Sequence, residues 1–227
     1  MCAATPSRTR FGTRGRPDES RAAILKAAIA EFSEQGIAGA RTDAIAQAAH
    51  VNKALLYYYY KDKDALYEAV LDAVFSGLRT RVMPILDSSL PPRQKLLDYL
   101  GAYFDYIAAN PRIPRVVQAE WMRVGSKRSH SMQRVAREYF QPIFTRLGEV
   151  LQQGMAAGDF RPVNPLDFIP SMAAVVVFYF GTAPAMKAML KIDPLSPERI
   201  AERRAFVLDF IAAALFTTQT AQQGERA

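Results

Sequence analysis

Apolar residues return every three or four positions along nearly the whole chain, and the strict alternation of a half-buried strand is missing. The pattern predicts an all-α protein of about nine helices. The first starts between Asp18 and Ser20, behind Pro17, and runs to Gln35, where Gly36 ends it. Its inner face is Ile24, Ala28 and Phe32, with Leu25 and Ile29 beside them. A short second helix covers Thr42–Ala49 and a third covers Lys53–Tyr60, with Asn52 as N-cap and His50-Val51 in the turn between them. A long fourth helix runs from Lys63, capped by Asp62, to about Leu86, and Pro91-Pro92 closes this part of the chain.

Further helices are expected near Gln94–Ala109, Pro114–Val124, Ser129–Ala157, Pro165–Ala183 and Pro197–Gln219. Pro111, Pro162, Pro194, Pro197 and Gly158 punctuate them, and Pro142 should kink or split the third of these. The longest apolar run, Met172–Phe180, is far shorter than the roughly 20 residues of a membrane span, so no membrane partner is expected.

Composition narrows the class. Half of the 227 residues are apolar and 22% are charged, which suits a folded globular chain. The lone Cys2 excludes an internal disulfide, and no apolar run follows the basic N-terminus, so a cytoplasmic setting is expected. The net charge of +7 is concentrated informatively: residues 1–17 hold Arg8, Arg10, Arg14 and Arg16 and no acid. An enzyme is not expected. The two histidines, His50 and His130, sit near no nucleophile or metal-ligand set, glycine-rich phosphate loops are missing, and neither a metal nor a cofactor is implied.

Two short helices joined by a tight turn, the second capped and rich in polar and aromatic residues, have the layout of a helix-turn-helix, whose second helix enters the DNA major groove. Ile45, Ala46 and Ala49 would pack the first helix, Val51 would anchor the turn, and Leu56 and Tyr60 would hold the second from behind. Lys53, Ala54, Leu55, Tyr57 and Tyr58 are left near the groove, and Tyr59 is assigned to packing because only one face of a helix can see DNA.

From Arg21 to Tyr67 the chain resembles the DNA-binding region of TetR family transcriptional regulators. The match reads R-A-A-I-L-K-A-A-I-A-E-F-S-E-Q-G-I and then R-T-D-A-I-A-Q-A-A-H-V-N-K-A-L-L-Y-Y-Y-Y-K-D-K-D-A-L-Y, about a fifth of the chain. It departs from the family at His50, where a small residue, commonly glycine, usually stands; histidine tolerates a left-handed turn better than most. The resemblance implies that Thr42 contacts a phosphate with Arg41 adding charge, that Lys53, Ala54 and Leu55 face the bases, and that the capping Asn52 is itself one of the DNA-contacting residues. It implies that Tyr57 and Tyr58 touch the backbone and that Lys63 binds phosphate at the start of its helix. Arg14-Gly15-Arg16-Pro17 resembles an AT-hook core, which would place Arg14 and Arg16 in a minor groove.

The expected organisation is a basic arm (1–17), a helix-turn-helix domain (18–63) and a ligand-sensing and dimerisation domain (64–227). Gly154-Met155-Ala156-Ala157-Gly158-Asp159-Phe160-Arg161 with Pro165 is similar to the stretch that precedes the dimerisation helix in many TetR C-terminal domains. The resemblance implies a homodimer through the last two helices, with Val175, Val176 and Tyr179 on one and Val207 (or Phe206), Phe210, Ile211 and Ala214 on the other. Some of these apolar stripes are equally readable as intrachain core. Tyr103, Trp121, Phe144 and Phe178 could line a cavity for a small molecule. Glu120 and Arg123 flank Trp121 and fit either a ligand contact or an internal ion pair. The expected function is release of a palindromic operator in double-stranded DNA by that small molecule. An activator using the same motif stays open beside a repressor, as does an architectural DNA binder of low sequence preference.

Overall fold

The computed structural model describes the backbone of residues 17–121 and 130–217, and the side chains of 17–118 and 133–217. Its order is α1 (Pro17–Gly39), α2 (Thr42–Ala48), α3 (Lys53–Tyr59), α4 (Lys63–Leu86), α5 (Pro92–Ala109), α6 (Ile113–Trp121), α7 (His130–Val135), a π-helical turn (Ala136–Phe140), α8 (Gln141–Ala156), α9 (Pro165–Leu190) and α10 (Pro197–Leu215). With 130–156 taken as one bent helix, the described residues hold the nine helices expected. Their β-structure is a single antiparallel bridge between Phe160 and Phe216.

The chain divides into two compact units: among the described residues, 17–74 with 115–121, and 75–114 with 130–217. The first is built on the period seen in the sequence. Ile24, Ala28 and Phe32 from α1, Ile45 from α2, Leu56 from α3 and Leu66 and Val70 from α4 are each at most 2% exposed. Phe32 meets Tyr67 edge-on at 5.0 Å. Gly36 interrupts α1 with φ 62°, ψ 173°, a backbone setting open to glycine, so the helix breaks where expected although the element continues to Gly39.

In the second unit α5 packs against α8, α9 and α10, and α9 packs against α8 and α10. Leu96, Leu100 and Phe104 of α5, Leu147 and Leu151 of α8, Val176 and Phe180 of α9, and Val207 and Leu215 of α10 fill its core. Phe104 and Phe180 meet at 5.3 Å. Val176, Val207 and Ile211 were assigned above to a dimer interface, and the structure corrects this: at 0%, 0% and 3% exposure they are core of their own chain. The correction follows from geometry. Both helices are apolar on two sides, and periodicity alone does not say which side faces inward.

Proline effects differ from site to site. Pro142 has no N–H to give, and the helix meets it by widening to the π turn just before, then restarting as α8 with Pro142 in its first turn. Phe75 stacks on Tyr139 of that turn at 6.1 Å and meets Phe140 edge-on at 4.9 Å. Pro184, by contrast, does not stop α9, which runs on to Leu190 rather than to Ala183. The exposed ring costs one backbone bond, and apolar residues continue on its far side. At 26 residues, with a mean hydropathy of 1.6 over its most apolar 18, α9 is long and apolar enough to cross a membrane by length and composition alone, a test that the packed helix of a globular protein also passes. Only 28% of that window is buried.

α8 ends in a Schellman motif. Gly158 at φ 74° lets its N–H reach Met155 O at 3.1 Å, while Asp159 N–H reaches Gly154 O at 2.9 Å. The turn is clasped to the end of α10. Arg93 donates from Nε to Asp159 Oδ1 at 3.0 Å and from Nη2 to Thr217 O at 2.8 Å, with its guanidinium 5.0 Å from the Phe216 ring centre. Phe216 turns extended to stack on Phe160, which is why α10 ends at Leu215 instead of Gln219.

Candidate nucleic-acid interface

The turn between α2 and α3 is the second Schellman motif of the chain, and it has no glycine. His50 takes the left-handed position at φ 54°. Its N–H donates to Gln47 O at 3.1 Å and that of Val51 to Ala46 O at 3.0 Å, which caps α2 and buries Val51 in the corner. Histidine therefore supplies the geometry that a glycine would supply without strain.

α3 is started by Asn52, whose Oδ1 accepts from Leu55 N–H at 2.7 Å. That bond gives Asn52 a structural role and leaves only its amide group for DNA, a narrower part than expected above. Leu56 and Tyr60 turn inward, and the buried Tyr60 hydroxyl has no hydrogen-bond partner among the described residues. Lys53, Ala54, Tyr57 and Tyr58 turn outward, Tyr58 with 80% of its surface exposed. Leu55 is half-buried and shows only part of its side chain to solvent. Tyr59, also half-buried, lies between the rings of Tyr58 at 5.4 Å and Tyr60 at 6.5 Å.

α2 and α3 are tied together across their exposed side. Thr42 Oγ1 and Tyr57 Oη lie 3.1 Å apart, so one hydroxyl pair joins the start of α2 to the middle of α3. Lys63 Nζ donates to Ala38 O at 3.3 Å and Ala40 O at 3.2 Å. Two of its three N–H groups thus secure the end of α1, and one is left for a phosphate. Together Ala40, Arg41, Thr42, Asp43, Tyr57 and Lys63 line an open cleft of about 300 Å³. A phosphate entering it would meet hydroxyl and cationic donors from three helices.

Two acids complete this surface, and the sequence reading missed both. Glu31 Oε1 accepts from Arg41 N–H at 3.0 Å, fixing the start of α2 to α1. Asp43 Oδ1 lies 2.5 Å from Lys53 Nζ, with Arg41 Nη2 at 3.9 Å from its other oxygen. The hydrogen bond from Lys53, and then its charge, hold the Asp43 carboxyl below its usual range, and the same bond holds the Lys53 ammonium above its own. The missed signal was the ten-residue spacing that places the first turns of two short helices side by side.

The other predicted site residues separate into groups. Phe178, expected in a cavity, is 66% exposed on α9, so it does not line an enclosed pocket in this chain. Phe206 and Phe210 stack at 5.8 Å on α10 and are 54% and 47% exposed, while Val175, Tyr179 and Ala214 are half-buried. Arg203 lies over the rings of Tyr179 at 4.9 Å and Phe206 at 5.1 Å and donates to Val175 O at 2.9 Å. Tyr103 is buried and stacks on Tyr99 at 6.1 Å, and Phe144 is half-buried. Arg14, Arg16 and Arg123 lie outside the described residues, as do the side chains of Glu120 and Trp121.

A capped recognition-type helix held by a tight turn against a second short helix, with hydroxyls and cations on their shared outer side, defines a helix-turn-helix DNA-binding protein. The chain belongs to the TetR family of bacterial regulatory proteins: residues 24–70 match the tetR family model of bacterial regulatory proteins, and residues 92–211 match the tetracyclin repressor-like C-terminal domain. It is 29% identical to the HTH-type transcriptional repressor SCO4008 of Streptomyces coelicolor over 77% of this chain and 84% of that one. It is 24% identical to the HTH-type transcriptional repressor NicS of Pseudomonas putida over 85% of this chain and 90% of that one. The crystal structure of HlyIIR, a hemolysin II transcriptional regulator, superposes with a TM-score of 0.65 at 25% identity, covering 89% of this chain and 99% of the other.

Proposed function

We propose that the chain is a homodimeric repressor that holds a palindromic operator through two copies of α3 and releases it when a small molecule binds the second unit. The observation that carries the reading is the Thr42–Tyr57 hydroxyl pair set in a cleft with Arg41 and Lys63, beside the outward Lys53. Such a set grips phosphate with one row of donors and leaves the first turn of α3 to the base edges. Repression is favoured over activation by the two relatives described above, both named repressors.

Two-fold pairing is supported by the aromatic residues that α9 and α10 leave uncovered, Phe178, Phe206 and Phe210. Sensing is supported by Tyr99 and Tyr103. Burial pushes both hydroxyls up, so they stay neutral. Buried neutral donors of this kind suit a ligand that brings an acceptor. α4 supplies residues to both units, so a ligand that shifts its second half is felt at Lys63. Linkage then requires DNA to weaken ligand binding by the same factor. As in the rest of the family, the setting is the cytoplasm and the action is binding rather than turnover.

The test is selection of duplexes from a random pool by the full-length protein at near-physiological salt. A palindromic consensus is expected, and Phe210→Glu should give a monomer that no longer selects it. Recovery of no shared sequence, with affinity vanishing as salt rises, would mean an architectural binder instead.

A further inference from the structure

We infer that Asp43 is a specificity-determining residue of the DNA surface, holding the Lys53 ammonium so that the pair, and not the lysine alone, reads the base edge. This rests on α3 being the recognition helix. Lys53 is the first residue of α3 and Asp43 the second of α2, and their charged atoms meet at 2.5 Å although both side chains are 54% exposed. An ion pair so open to water adds little to folding stability, so its position at the mouth of the groove-facing surface asks for another account.

Three consequences follow from the geometry. A lysine has three N–H donors. Asp43 takes one, and the two that remain match the O6 and N7 acceptors of a guanine. The carboxylate also fixes a long side chain that would otherwise sample many rotamers, with the Tyr57 ring centre 6.0 Å from Nζ on another side. Finally, the pair is electrically neutral. A phosphate gains little from it, whereas a G·C edge does, because the cytosine N4 amino donor beside guanine O6 can reach the second carboxylate oxygen, which Arg41 Nη2 approaches only to 3.9 Å. An A·T pair sets the adenine amino donor next to N7 and meets the ammonium with like polarity. Asp43 thereby trades non-specific attraction for base discrimination.

The alternative is that Asp43 only repels phosphate, and a double-variant cycle separates the two. Asp43→Asn, Lys53→Ala and the double variant of the full chain are each titrated with the duplex enriched by selection, with that duplex altered one G·C pair at a time, and with random duplex, over a range of salt. Asp43→Asn should bind random duplex about 3- to 10-fold more tightly, with a salt dependence steeper by about one. It should lose about tenfold discrimination at one G·C position, and Asp43→Glu should restore part of it. In the Lys53→Ala background the same change should raise affinity for every duplex and leave base discrimination unmoved. Equal discrimination by Asp43→Asn and the parent would overturn the inference, as would an identical loss in both backgrounds. A parent protein that prefers no duplex at all overturns the recognition-helix reading beneath it, so the two failures are distinct.

Discussion

Two glycines in α8 should respond to alanine in opposite senses. Alanine in a helix interior is favoured over glycine by about 0.5–1 kcal/mol, and a Cβ at Gly148 meets nothing within 4 Å. Gly148→Ala is therefore expected to stabilise by about that amount. A Cβ at Gly154 would lie 2.1 Å from Phe160 Cδ2 and 2.2 Å from Cε2, so the ring must retreat by more than about 1 Å. It has nowhere easy to go, being 2% exposed and stacked at 5.4 Å on Phe216, which carries the Arg93 guanidinium. Overpacking costs about 1–3 kcal/mol and a disturbed aromatic pair about 0.5–1.5 kcal/mol, against the helical gain. The net is a loss of about 1–3 kcal/mol, or roughly 3–10 °C in Tm for a chain of this size. Thermal unfolding followed by far-ultraviolet circular dichroism measures it. Combining Gly154→Ala with Phe160→Leu should cost less than the two changes separately, since the smaller side chain gives the new methyl room. A Gly154→Ala protein as stable as the parent, or strict additivity with Phe160→Leu, would refute the close-packing argument.

Two further substitutions probe the DNA-side unit. His50→Gly removes a side chain from a left-handed residue and should stabilise by about 1 kcal/mol, seen as a higher Tm; a lower Tm would mean the imidazole contributes more than its backbone strain costs. Lys63→Met should lose about 1 kcal/mol of stability with its bonds to Ala38 and Ala40, and should also weaken binding to all duplexes with a salt slope smaller by about one. Unchanged stability in that variant would contradict the carbonyl contacts.

Much of this was readable from the residues because local rules and tertiary demands agree. In α1 the spacing Ile24, Ala28, Phe32 names a single buried stripe, and Gly36 has one backbone reason to be there. Asn52 and Asp62 announce helix starts by their side-chain chemistry, and both cap as expected, Asp62 accepting from Ala65 N–H at 2.7 Å. Legibility fails where two faces compete. In α9, and in α10 from Ala205 onward, apolar residues occupy more than one face, so Val207 and Phe206 were interchangeable until packing put one in the core and the other outside. It fails also where partners are remote in sequence, as with Arg93 reaching Thr217 across 124 residues, or Asp43 reaching Lys53 across a turn. Pro184 shows the third kind of failure, since a helix survives one missing bond when apolar surface continues beyond it.

The discontinuity of the first unit bears on how the chain is born. Its residues are not consecutive: 17–74 are completed only by 115–121, where Val116 and Val117 are buried. A ribosome adding roughly 5–20 residues per second must therefore read through all of 75–114, residues of the other unit, before the DNA-side unit has every apolar position it needs. The last apolar positions of the first unit are thus synthesised only after a segment of the other unit. A gene truncated after residue 74 would encode the whole recognition motif and still leave its supporting unit unfinished.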